Sequence, residues 1–192
     1  GIAGSNMGVI ENCCNLGLVS GRGMCLGGIV GKQNTVQSGT KVENCYNMGK
    51  VVPKGTETNY GDVVAEGGER VFNCYYLGES ETDGLSGTTA ATTTDFSSGK
   101  IAYLLNQGIT NGSQAWYQTC GQGKPTFTGK TVYAISNSCY IGDGISGYTN
   151  QATVAPVHNY NSKGFCKNMR ADGITACDDY QPCGKDANGT YE

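Results

Sequence analysis

The chain is poor in most of the groups that surface chemistry draws on. It has one histidine and one tryptophan, and only 15% of its residues are charged, giving a net charge of −3. A lone histidine in a loop-like stretch is a poor base for a serine or cysteine nucleophile. Thirteen scattered Lys and Arg residues exclude the basic footprint of a nucleic-acid binder. No run approaches the roughly 18 apolar residues of a helical membrane span, so no membrane insertion is expected. Four prolines are too few for a Pro-rich linker, and the thirty-one glycines follow no collagen period. His-Glu-x-x-His, nucleophile-elbow and phosphate-loop patterns are absent. Of the sixteen acidic residues, Glu11 and Glu43 recur in register, and both read as solvated. The chain is not expected to be an enzyme.

What the sequence does have is a repeated phrase. IENCCNLGLV stands at 10–19, VENCYNMGKV at 42–51 and VFNCYYLGES at 71–80. Its asparagines, Asn12, Asn44 and Asn73, are 32 and 29 residues apart. A second phrase precedes each copy: GIAGSN at 1–6, GGIVGKQ at 27–33 and a worn GDVVAEG at 61–67. Short apolar runs bounded by Gly, Asn and Ser read as strands. A period near 30 residues reads as a stacked repeat. The fold expected is all-β: a right-handed parallel β-solenoid (β-helix) of about three coils, over residues 1–92.

Parallel stacking gives each recurrent residue a place, because equivalent positions of successive coils lie roughly 4.8 Å apart. Ile10, Val42 and Val71 form an interior aliphatic column, and Asn12, Asn44 and Asn73 a ladder of side-chain amides. Strict strand alternation would put Val and Cys on opposite faces. Asparagine readily leaves the β region, so a bend there turns both inward and leaves Glu11 and Glu43 outside. Gly17, Gly49 and Gly78 are expected to supply positive-φ turns. Cys13, Cys45 and Cys74 form a column read mainly as buried free thiols. The competing readings are a disulfide, for which in-register parallel side chains are poorly aimed, and a soft-metal site, which lacks a recurring fourth ligand.

GGIVG followed by VENCYNMGKV resembles the GLUG-type repeat of large bacterial surface proteins, also found beside the catalytic domain of some IgA-specific metallopeptidases. The resemblance covers residues 1 to about 80. It implies a β-solenoid on a secreted or cell-surface protein and no catalytic site. The opening GIAGSNMG reads as the middle of a repeat unit, so the chain is expected to be a piece of a longer protein with other domains.

Beyond the repeats, 81–94 reads as a polar connector. A helix is expected over 95–107, with Asp95 as N-cap, Ile101, Leu104 and Leu105 as the apolar stripe and Gly108 as its stop. This helix is expected to cover the open C-terminal end of the repeats. Residues 115–135 read as strand, Gly-rich turn and strand, completing a helix-and-hairpin cap over 93–135. The segment resembles one that commonly follows GLUG repeats. Trp116 reads as a packing anchor, with sugar stacking as the competing role. Residues 136–157 read as a further hairpin and linker.

Residues 158–192 form a small Cys-rich module. His158, Cys166, Cys177 and Cys183 have the chemistry of a Cys3His structural zinc site, yet their intervals of 8, 11 and 6 contain no Cys-x2-Cys knuckle. The module resembles linker units of the same surface proteins, with ten residues between Cys166 and Cys177 where that pattern has two. That departure favours a Cys166–Cys177 disulfide over zinc, and both readings stand.

The function expected is a non-catalytic structural or adhesive segment that presents or contacts host glycan or extracellular protein. The alternative is an accessory, non-catalytic domain of a surface protease or glycan-degrading enzyme. Tyr46 and Tyr75, stacked one repeat apart and taken as exposed, are the candidate ligand-binding residues, with cross-repeat aromatic packing as the competing role. No cofactor other than a structural zinc is expected.

Overall fold

The computed structural model describes residues 1–56, 59–78, 87–110, 114–121, 123–134 and 148–150. Its repeating feature is a turn at one asparagine per phrase. Asn12, Asn44 and Asn73 have φ of 52, 52 and 49°, the left-handed region that asparagine tolerates better than any other residue with a side chain, glycine aside. The turn splits each phrase into two strands and resets the alternation between them.

Residues 1–27 contain β1 (Ala3–Asn6), β2 (Val9–Glu11), β3 (Cys14–Asn15), β4 (Val19–Gly21) and β5 (Cys25–Gly27). The same order returns as β6 (Val30–Gln33), β7 (Lys41–Glu43), β8 (Tyr46–Asn47), β9 (Val51–Pro53) and β10 (Asn59–Gly61). It returns in part as β11 (Val64–Glu66), β12 (Val71–Phe72) and β13 (Cys74–Leu77). Each strand pairs in parallel with its counterparts, giving the ladders β1–β6–β11, β2–β7–β12, β3–β8–β13, β4–β9 and β5–β10. The described fold is therefore mostly short strands in parallel sheets. The repeat carries more strands than the two its apolar phrases announce, because the Gly-rich stretches between them also pair.

The aliphatic column holds: Ile10 pairs with Val42, and Val42 with Val71. Val42, Val71, Cys45 and Cys74 are buried in one core with Ile29, Val30, Val63, Val64 and Tyr76. Glu11 is exposed and Glu43 half-buried. The asparagine turn thus does what was expected of it, bringing Val and Cys to the same side.

The phrase-closing glycines behave differently from expectation. Gly17, Gly49 and Gly78 are not among the positive-φ residues. Gly49 is needed for close approach instead, since a Cβ there would lie 2.0 Å from the Gly17 carbonyl oxygen. The left-handed conformation has moved to the asparagines, leaving the glycines to let backbones pass.

Of the expected connector, the described residues 87–94 carry regular structure. β14 (Thr88–Ala91) adds in parallel to β13, helped by threonine's preference for a pleated surface. Two helices follow, α1 (Thr93–Ser97) and α2 (Lys100–Gln107), broken at Gly99 with φ 93°. The N-cap is Thr92, not Asp95. Its hydroxyl accepts the Asp95 N–H at 3.1 Å, and Asp95 Oδ2 accepts the Thr92 N–H at 3.0 Å, a reciprocal capping box. Lys100 Nζ donates to Asp95 Oδ1 at 2.7 Å, and this bond foremost holds the carboxyl down at about 2.

The helices do not close the end of the stack. They lie along its side, on the outer face of the β3–β8–β13–β14 sheet. Phe96, Ile101 and Leu105 pack there with Tyr46, Tyr75, Ala91, Trp116 and the half-buried Cys14. The outward column Cys14–Tyr46–Tyr75 is too apolar to leave wet: burying each tyrosine ring is worth about 2 kcal/mol. Beyond the helices, Tyr117 and Thr126 form one antiparallel bridge, and β15 (Tyr133–Ala134) pairs antiparallel with β16 (Tyr148–Thr149).

Two outcomes are expected. Gly49→Ala lowers stability by about 2 kcal/mol or more, while Gly17→Ala, whose nearest new contact is 3.9 Å away, stays within about 0.5 kcal/mol; urea titration separates them. Because Asp95 titrates lower in the folded chain than its ordinary 3.8, its contribution is present above pH 4 and lost as pH falls from about 4 to 2. Wild type is expected to lose on the order of 1 kcal/mol more across that window than Asp95→Asn, since solvent screens the ion pair.

Candidate functional site

The recurrent residues converge on two structures, a wall of amides and thiols inside the stack and an aromatic seam under the helices. In the thiol column each sulfur donates to the carbonyl two residues before it. Cys13 Sγ reaches Glu11 O at 3.2 Å, Cys45 Sγ reaches Glu43 O at 3.1 Å, and Cys74 Sγ reaches Phe72 O at 3.2 Å. Glu43 O and Phe72 O also accept the backbone N–H groups of Asn12 and Asn44, each at 3.2 Å, so there the thiol is a second donor to a carbonyl whose two lone pairs are then both used. Cys13, Cys45 and Cys74 are free. The hydrogen bond with Cys45, and then burial, hold the Cys13 thiol well above its usual range. For Cys45 the contact with Cys13 acts downward, but the bond with Cys74 together with burial outweighs it. These are weak nucleophiles, because the thiolate is the reactive form.

The amide ladder follows expectation only in part. Asn73 Nδ2 donates to Asn44 Oδ1 at 2.8 Å, but Asn12 Oδ1 is buried and accepts no bond. A second amide ladder was not anticipated. Asn15 Nδ2 donates to Asn47 Oδ1 at 2.8 Å, and each of these asparagines also clasps the glycine two residues on. The signal was present as Asn-x-Gly in both CCNLG and CYNMG.

Asn73 also reaches the helical layer, donating to the Leu104 carbonyl at 3.0 Å. Gly108, at the C-cap of α2, sits so close to this pair that a Cβ would lie 2.0 Å from Asn44 Oδ1. The amide ladder is thus the ledge on which the end of α2 rests.

Tyr46 and Tyr75 lie under this layer. Tyr46 is fully buried and Tyr75 is 8% exposed, which corrects the exposure on which a ligand-binding role for them rested. The cause is the lateral seating of the helices. Tyr46 packs against Phe96 and Trp116 with ring centroids 5.5 and 5.2 Å apart, and its hydroxyl donates to the Pro125 carbonyl at 2.6 Å. Burial foremost pushes the Tyr46 phenol up. Tyr75 donates to Asn73 Oδ1 at 2.6 Å. Trp116 is fully buried, and Asn106 clasps both its backbone N–H, at 3.0 Å, and its carbonyl, at 2.7 Å. It is a packing anchor, as its lone occurrence suggested.

Outside, register brings together residues that the phrases kept apart. Lys32 stands opposite Glu66, pairs with it and so raises its own pKa while lowering that of the carboxylate. Cys25 Sγ donates to Glu66 Oε2 at 3.2 Å, and burial, then this bond, raise the thiol. GGIVGKQ and GDVVAEG, aligned, already place Lys32 against Glu66. Among the described residues no group of three or more His, Cys, Asp or Glu is arranged to hold a metal ion. His158, Cys166, Cys177 and Cys183 lie outside the described residues. No described helix is long and apolar enough to cross a membrane.

No protein-family model matches the chain, and comparisons with curated proteins and with solved structures find no match.

Cys45 and Cys74 are expected to stay unmodified by iodoacetamide at pH 8 in the folded protein and to react fully in urea, read residue by residue by peptide mass spectrometry. Rapid modification of either in the folded chain would contradict the buried column.

Proposed function

We propose that the chain is a non-catalytic structural and adhesive segment of a bacterial secreted or cell-surface protein, built as a right-handed parallel β-solenoid of about three GLUG-type coils. The observation that carries this reading is how the recurrent polar residues are spent. Asn15 bonds Asn47, Asn44 bonds Asn73, and the three phrase cysteines bond backbone carbonyls. The phrase is a stacking rule, and stacked repeats give a stiff body with an extended outer surface suited to reach and multivalent contact. Host glycan or extracellular protein is the proposed partner, and other domains of a longer chain would set what the segment presents. With Tyr46 and Tyr75 buried, the outward aromatics of the described repeats are Tyr60, 61% exposed, and Phe72, 50% exposed.

The test is binding of the purified chain to mucins, matrix proteins and a glycan panel, with heat-unfolded chain as control. Fold-dependent binding is expected, weakened at least about tenfold in Tyr60→Ala, Phe72→Ala if aromatic anchors carry it. Fold-dependent cleavage of a polysaccharide or peptide that persists through repurification would overturn the reading.

A further inference from the structure

Residues 1–27 repeat the residue types of 28–61, and most of them are less buried, Asn6 excepted. Ile2 is 49% exposed where Ile29 is fully buried. Cys13 and Asn15 are half-buried where Cys45 and Asn47 are buried. Pairing accounts for the difference: β6, β7 and β8 have parallel partners on both sides, whereas β1 to β5 have one on one side only among the described residues. Residue type is constant, and the number of flanking layers changes.

The open side is polar in a directed way. Asn6 Nδ2 donates to Gln33 Oε1 at 2.7 Å, and Asn15 Nδ2 to Asn47 Oδ1 at 2.8 Å. In both, the earlier repeat donates and the later accepts. Asn47 Oδ1 also takes the Gly49 N–H at 3.0 Å, so both its lone pairs are used. Asn15 Oδ1 takes only the Gly17 N–H, at 3.4 Å, which leaves one acceptor direction open. Elsewhere in the same repeat a cavity of about 180 Å³ opens among Ile2, Ala3, Val19, Leu26 and Gly31, room for an aliphatic side chain. The opposite side of the stack is partly covered, because β14 pairs with β13 and Gly87 lies against the Val71 carbonyl.

We infer that the face formed by β1 to β5 is a docking surface for one further repeat of the same kind, stacked in parallel register. That repeat donates asparagine amides to Asn6 and Asn15 and places an aliphatic side chain in the cavity. It continues the interface already made between 1–27 and 28–61, and the inference does not depend on the adhesive reading. A second copy of the whole chain would meet the same backbone edges but brings a partly covered opposite side.

The experiment uses the full chain with residues 1–27 duplicated in tandem before Gly1, a spacing of 27 residues that matches the register of Asn6 against Gln33. A second version carries Asn6→Asp and Asn15→Asp in the added copy, which removes the amide donors. The first version is expected to raise the thermal midpoint by about 2–4 °C or more. It is also expected to slow amide exchange in the original β1 and β2. Thermolysin is expected to cut the added copy at least about tenfold faster in the Asp version. An added copy cleaved equally fast in both versions, with exchange in β1 and β2 unchanged, would overturn the inference. So would sedimentation showing that the unmodified chain self-associates and that the duplication dissociates it, since the face would then belong to a second copy. Should the duplication fail to fold, the 1–27 peptide added to the unmodified chain gives the same exchange readout, and no slowing there counts against the proposal.

Discussion

A left-handed turn at one asparagine per repeat is the constraint from which the rest follows. Without it, strand alternation would send Val42 and Cys45 to opposite faces, and neither the aliphatic nor the thiol column could share a core. The conformation costs a side-chain-bearing residue about 1–2 kcal/mol. The neighbouring cysteine offsets part of that by bonding the carbonyl before the turn. Asparagine and cysteine therefore recur together because each makes the other tolerable. Serine would bring a more strongly hydrated hydroxyl into the same apolar wall, whereas a thiol buries at little cost.

The two cores share β13. Cys74 and Tyr76 face the interior of the repeats, and Tyr75 faces the helices. Asn73, just before that strand, joins Asn44, the hydroxyl of Tyr75 and the Leu104 carbonyl. One polar residue thus fixes the distance between the repeat stack and the helical layer, and Gly108 must lack a side chain for the two to meet.

Columns were legible in the sequence because a fixed phrase at a fixed interval leaves parallel register as the economical arrangement. The inward turn of cysteine followed from asparagine's backbone preference. The strands within LGLVSGRGMCL were not legible, since two- and three-residue strands carry no periodicity of their own. The seat of the helices was misjudged for a physical reason: the exposed ends of a stack attract attention, but Cys14, Tyr46 and Tyr75 had already made its side apolar. Reading those tyrosines as a surface feature was the same error seen from the other side. The Cys25–Lys32–Glu66 group was half visible, as two aligned phrases carrying opposite charges.

The lateral helices have a mechanical meaning. Strands in this stack run across the direction in which repeats succeed one another, so a pull along that direction loads the inter-repeat hydrogen bonds and would peel them one repeat at a time. The helical layer shares one core with Tyr46 and Tyr75, one residue from each of two successive repeats, and Cys14 of the preceding repeat packs against that core. It acts as a splint glued across the seam between those two repeats: on that wall the seam cannot open until the splint lifts, and the load is shared with the helical layer instead of falling on one ladder.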